Sequence, residues 1–314
     1  MLWRHETSSY VDLNGNAPSS RAYAAFGSIQ VGYVGRRACK WSGTADSVVD
    51  LSPPGAGQSE AHGVAANMIV GYGYFENTGG EECFSSDHAG YWTDGADSWH
   101  ELHPAEYHTS QAYATDGVQQ VGLVAPFYEP CILFYDPPQA CVWNGTPESC
   151  VNLNPNGMWY SEARGVSNGV QVGWVSGPAI NYEEHASLWR GSAESWVDLN
   201  PAGAVSSRAV DVLGNTQVGY WDGENTRHAV MWQGSASNTI DLQQFLPDCY
   251  DTSQARAIGT GPNGEVWILG EAGSSVTGLH DLVVWYAVPE PSSLVVLGMG
   301  LLPIAVSLRR RMRG

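Results

Sequence analysis

A ruler of tryptophans organises this chain. Trp3, Trp41, Trp92, Trp143, Trp189 and Trp232 are each followed ten residues later by a leucine, at Leu13, Leu51, Leu102, Leu153, Leu199 and Leu242. A second ruler is Ser-x-Ala, at Ser20, Ser59, Ser110, Ser161, Ser207 and Ser253. In five copies the Ala precedes Val-Gly by nine residues (Ala22 to Val31, Ala61 to Val70, Ala112 to Val121, Ala163 to Val172, Ala209 to Val218); the sixth diverges and reads GEVWILG. A period of 39 to 51 residues points to propellers or solenoids, in which no unit buries its apolar face alone.

Each unit reads as four short strands: around S-x-A-x-G-V, around Q-V-G-Y, at H-A-x-x-W and at V-D-L. Gly, Asn and Pro clusters punctuate them. The composition agrees: 37 Gly, 13 Trp and 15 Tyr suit tight turns and strands better than helices. Four strands per ~45 residues is the size of a propeller blade. The expected fold is therefore all-β, a β-propeller of four-stranded blades over residues 1–287. Six S-x-A starts predict six blades. The V-D-L strand at Val11 to Leu13 precedes any S-x-A, while the last unit ends at Trp285 without a fourth strand. The early strand could complete the last blade and close the ring. Residues missing upstream would make the count seven.

The chain ends in VPEPSSLVVLGMGLLPIAVSLRRRMRG. Leu294 to Leu308 is an uncharged apolar run of 15 residues. Extended to 292–308, it reads as a short transmembrane helix. Arg309, Arg310, Arg311 and Arg313 follow, which the positive-inside rule places in the cytoplasm, with the bulk of the chain outside. The N-terminus, MLWRHETSSYVDL, has no apolar signal region, so an exported chain of this kind is expected to start upstream. Of 14 Lys and Arg, four are these terminal arginines, which leaves ten against 32 Asp and Glu. Such a surface repels phosphate backbones and argues against a nucleic-acid partner.

The tail closely resembles the PEP-CTERM sorting signal of Gram-negative bacteria, through Val288, Pro289, Glu290 and Pro291, the apolar segment and Arg309, Arg310 and Arg311. The resemblance implies recognition of residues 288–314 by an exosortase-type membrane protease and delivery to the cell exterior. It also makes the Pro-Glu-Pro residues a recognition element for another enzyme. The units HAGYW, HASLW and HAVMW, at His88, His185 and His228, resemble the HAF family of extracellular repeats. Phe is replaced by Gly, Ser or Val, and Arg37 and Gln139 stand for His in two units. This second resemblance implies an extracellular repeat protein and assigns no catalytic residue.

Function is less legible. The gap from Val-Gly to Trp varies most, at 9, 21, 21, 16, 13 and 15 residues, so the loops between second and third strands are the variable ones. They share a propeller face with the linkers between blades, the usual place for binding. The longest loops, near 72–88 and 123–139, flank the linker HELHPAEYH. Phe84, Asp87, His103, Glu106, His108, Phe127, Tyr128 and Tyr135 are then candidate ligand residues, since aromatic faces and acidic groups suit carbohydrate. Cys83 and Cys131 lie in those two loops and are a candidate disulfide. Cys141 and Cys150 could pair across one hairpin, leaving Cys39 and Cys249, although six cysteines allow 15 pairings.

The stretch WHELHPAEYH holds three histidines but aligns with WVDLNPAG, so it is a fourth strand and its exit turn rather than a zinc-binding HExxH helix. His103, Glu106 and His108 remain metal or ligand candidates only if the loops supply partners. No P-loop or HExxH occurs, and no metal or cofactor is expected. The expected role is that of a non-enzymatic protein of the cell envelope or exopolysaccharide matrix. A carbohydrate-binding propeller and a propeller glycan hydrolase or lyase are the competing readings.

Overall fold

The computed structural model describes residues 2–4, 9–76, 86–126, 137–261, 263–278, 280–287 and 304–308. The chain is an all-β propeller of six four-stranded antiparallel blades. Blade 1 comprises Ser20–Phe26, Ile29–Val34, Arg37–Trp41 and Val49–Asp50. Blade 2 comprises Gln58–Ala65, Met68–Phe75, Ser86–Trp92 and Trp99–Glu101. Blade 3 comprises Tyr107–Thr115, Gln120–Pro126, Gln139–Trp143 and Val151–Asn152. Blade 4 comprises Tyr160–Ser167, Val170–Ser176, His185–Trp189 and Val197–Asp198. Blade 5 comprises Ser206–Leu213, Thr216–Asp222, Arg227–Trp232 and Thr239–Asp241. Blade 6 comprises Thr252–Thr260, Val266–Gly273, His280–Ala287 and Ile304–Leu308. The chain divides into two compact units, residues 1–171 with 190–195 and residues 172–189 with 196–314.

Each ruler has a physical cause. The tryptophans from Trp41 to Trp285 and the leucines from Leu51 to Leu242 are the largest fully buried side chains. In blades 1 to 4 the ten-residue interval between them is a hairpin held by a serine six residues after the Trp. Ser149 Oγ accepts from Asn144 N (2.8 Å) and donates to the Thr146 carbonyl (2.6 Å), and Ser47, Ser98 and Ser195 do the same in their blades. The Val-Gly ruler reflects a β-bulge. Ala22, Ala61, Ala112, Ala209 and Ala255 pair with Gly32, Gly71, Gly122, Gly219 and Gly270, and the register slips at the residue after each Ala. A Cβ on Gly32 would sit 1.8 Å from the Arg21 carbonyl oxygen, so only glycine fits opposite the bulge.

The Ser-x-Ala ruler is a clasp between successive blades. Ser59, Ser110, Ser161, Ser207 and Ser253 accept the buried N–H of Ala38, Ala89, Ala140, Ala186 and Ala229 in the third strand of the blade before, at 2.8–3.0 Å. Without the hydroxyl these donors would be buried unsatisfied.

Three expectations are corrected. Ser9–Val11 does not complete blade 6; it pairs with Leu2–Arg4 in a separate two-stranded ribbon, as the local Trp-to-Leu hairpin requires. The fourth strand of blade 6 is Ile304–Leu308, paired antiparallel to His280–Ala287. Residues 304–308 are therefore strand, not the end of a spanning helix, because the open edge of blade 6 supplies backbone partners. Among the described residues no helix is long and apolar enough to cross a membrane. Lastly, Cys141, Cys150, Cys39 and Cys249 are free thiols. Cys141 and Cys150 do meet across the hairpin, where burial, more than the hydrogen bond between the two thiols, pushes the Cys141 thiol up. Val288, Pro289, Glu290, Pro291, Arg309, Arg310, Arg311, Cys83 and Cys131 lie outside the described residues.

Candidate functional site

The bulges decide where side chains gather. The bulged residue of blade 1 is Tyr23, that of blade 2 is His62 and that of blade 3 is Tyr113. A bulge re-aims its side chain, and these three rings meet. Tyr23 stacks on His62 with centroids 4.2 Å apart and planes 18° apart. His62 meets Tyr113 edge-on at 5.4 Å and Tyr72 at 5.4 Å. Arg164, at the same repeat position in blade 4, lies 4.0 Å over the Tyr113 ring.

Polar groups from the preceding repeat position are interleaved with this row. Tyr23 donates its hydroxyl to Glu60 Oε2 at 2.7 Å, and His62 Nε2 lies 3.1 Å from the same oxygen. Gln111 accepts from the Tyr113 hydroxyl and donates to Asp87 Oδ2 at 2.6 Å; Arg164 pairs with Glu162. Burial alone would raise the Glu60 carboxyl, but the hydrogen bonds from His62 and Tyr23 hold it below the usual range. Burial raises Asp87, against the bond from Gln111, and burial with the Glu60 charge keeps the Tyr23 phenol protonated. The rings of Tyr23, His62, Tyr72 and Tyr113 are half-buried, and the guanidinium groups of Arg21 and Arg164 lie 4.9 and 4.0 Å over Tyr23 and Tyr113. The row thus sets half-buried aromatic rings, one firm carboxylate and neutral donors in a line.

A second cluster surrounds His88. Its Nδ1 lies 2.5 Å from Glu101 Oε1 and its Nε2 lies 3.0 Å from Ser86 Oγ. The His103 ring stacks on it at 3.9 Å and 8°, and Phe75 packs at 5.0 Å. His103 Nδ1 in turn meets Ser110 Oγ at 2.8 Å. Ser110 Oγ, which accepts from Ala89 N, still has its proton to donate to a neutral His103. Burial, helped by the charge of His88, brings His103 down to about 4.

The two clusters sort the residues expected from sequence. Asp87 joins the aromatic row through Gln111, whereas His103 belongs to the clasp between blades 2 and 3. Alternation along Ser86–Trp92 explains the separation, since Asp87 points to the opposite face from Ser86 and His88. Glu106 is exposed and His108 half-buried. Phe84, Phe127, Tyr128 and Tyr135 lie outside the described residues. Among the described residues no group of three His, Cys, Asp or Glu is placed to hold a metal ion. Sequence reasoning missed Tyr23, Glu60, His62, Gln111, Tyr113 and Ser86. The first five occupy the two variable positions of Ser-x-Ala-x, and that variability inside an otherwise regular motif was the available signal.

The recurring histidines also find their role. His185 and His228 pair through Nδ1 with Asp198 and Asp241, at 2.8 and 2.7 Å, and Arg37 pairs with Asp50 at 3.0 Å. In blade 3 both members change together, to Gln139 and Asn152, which bond at 2.5 Å. The partner of His185 and of His228 is therefore the Asp of V-D-L thirteen residues on. Compared with known proteins, the chain matches no family model and no curated protein.

Proposed function

We propose that this chain is an exported protein of the cell envelope or exopolysaccharide matrix, and that its propeller binds a neutral carbohydrate along the row Tyr23, His62, Tyr72 and Tyr113. The observation that carries the reading is the stack of half-buried rings at successive bulges, with Glu60 and Gln111 between them. Ring faces take the apolar faces of sugars, and fixed polar groups take their hydroxyls. A formal charge of −18 disfavours an anionic glycan. The address rests on the resemblance of residues 288–314 to an exosortase sorting signal, and the partner it implies is that membrane protease.

Affinity electrophoresis in gels cast with neutral and with acidic polysaccharides tests the binding. Retardation is expected in a neutral gel and is lost in Tyr23→Ala and Tyr113→Ala, whereas Glu106→Ala keeps it. No retardation in any gel, or equal retardation of all variants, overturns the reading. For the address, expression in an exosortase-bearing Gram-negative host should yield a surface or secreted chain cut near Pro289 to Pro291. An uncut chain retained whole in the cytoplasm would reject it.

A further inference from the structure

Three of the positions at which blade 2 departs from its sister blades converge on His88. The residue two before the histidine position is Gly35, Pro137, Glu183 or Thr226 elsewhere, but Ser86 here. The carboxylate opposite is Asp50, Asp198 or Asp241 elsewhere, but Glu101 here. The residue after the leucine is Ser52, Asn154, Asn200 or Gln243 elsewhere, but His103 here.

The change at Glu101 alters what the carboxylate does. In the other blades one oxygen of the Asp accepts a backbone N–H two residues on, as Asp198 does from Asn200 at 2.8 Å and Asp241 from Gln243 at 2.9 Å. Glu101 has no such bond to His103 among those described, and its longer side chain reaches His88 at 2.5 Å. An ionised carboxylate only accepts, so His88 Nδ1 carries the proton. Nε2 is then an acceptor, and the bond at 3.0 Å runs from the Ser86 hydroxyl to it. The His103 ring stacks on His88 with centroids 3.9 Å apart. Ser86, His88 and Glu101 thus stand in the order of nucleophile, base and orienting carboxylate.

We propose that blade 2 is a serine esterase site that cleaves carboxylic esters of small acyl groups, with Ser86 as nucleophile, His88 as general base and acid, and Glu101 as the positioning residue. Ser86 Oγ bonds to the ester carbonyl carbon as its proton passes to His88 Nε2. The C–O bond to the alcohol breaks, and the alkoxide leaves with the proton from Nε2. The acyl group is then on Ser86. Water attacks the acyl carbon, gives its proton to His88 and releases the acid, and Ser86 regains its proton. Ester and water become acid and alcohol, with no other reactant. The acyl group is small because Ser86 is only 9% exposed and His88 is held between Phe75 and His103. The proposal does not depend on glycan binding.

The full chain is treated with a fluorophosphonate probe and separately assayed with p-nitrophenyl acetate. A single adduct on Ser86, located by peptide mass spectrometry, is expected, and it disappears in His88→Asn. Hydrolysis should fall about 100-fold or more in Ser86→Ala and in His88→Asn. Glu101→Asp should keep most of the rate, whereas Glu101→Gln should lose it and change the pH profile, since an amide no longer requires the proton on Nδ1. Tryptophan fluorescence confirms that each variant is folded. A folded wild-type chain with no adduct at Ser86, or hydrolysis unchanged in folded Ser86→Ala, overturns the proposal.

Discussion

Blades 2 and 5 are copies of one repeat that put the same histidine to different uses. In blade 5, His228 and Asp241 close a cross-strand pair, and Asp241 also caps its exit turn. Gln217 anchors the turn glycine Gly234, whose φ of 77° suits no other residue well. These polar groups tie the blade to its own turns. In blade 2 the glutamine position is Ile69 and the glycine position is Asp94, so that anchor is absent, and the histidine gains Ser86 and His103 instead. The difference shows that the repeat tolerates loss of its secondary ties while the tryptophan, the leucine and the serine clasp persist.

The comparison can be broken most forcefully at what the two blades share. Trp92→Ala and Trp232→Ala should each cost about 3–5 kcal/mol, read from denaturant midpoints, because both indoles are fully buried. A large cost in one and a negligible cost in the other would end the idea of a common core. The clasps come next. Ser110→Ala and Ser253→Ala each strand a buried N–H, of Ala89 and Ala229, at about 1–3 kcal/mol.

Below these lies an effect of blade 2 alone. Folding lowers His103 from its ordinary 6.5 to about 4, so the folded state favours the neutral ring. The stability from this group is complete above about 6.5 and is lost as the pH falls through about 4. His103→Asn, which installs the residue of blades 4 and 5's flanking turns at Asn154 and Asn200, should flatten midpoints measured between those pH values. An unchanged slope would mean that His103 is not the acid-sensitive element. The smallest effect is in blade 5. His228→Gln and Asp241→Asn, made singly, should each cost about 0.5–1 kcal/mol, and the double change should recover part of it by copying the Gln139–Asn152 pair. Strict additivity of the two would show that the pair is not coupled.

The architecture was legible because its signals are local. Trp143 to Leu153 is one hairpin, and the spacing from Ala112 to Val121 is one bulged strand pair, so both leave a fixed interval in the sequence. The ends misled for the same reason. The V-D-L strand at Val11 found its partner in the nearby Leu2–Arg4, and the apolar residues 304–308 met an open strand edge that hydropathy cannot see. Cys141 and Cys150 were rightly placed face to face, but adjacency is not a bond.

What the sequence by itself determined is the blade: its four strands, its buried tryptophan and leucine, and its clasp serine, all set by intervals of a few residues. Only the tertiary structure decided which variable residues share a site. Tyr23 reaches Glu60 across 37 residues, and His88 reaches Glu101 across 13. Those partnerships depend on strand register and on where each bulge turns a side chain, and neither is written in any one stretch of sequence.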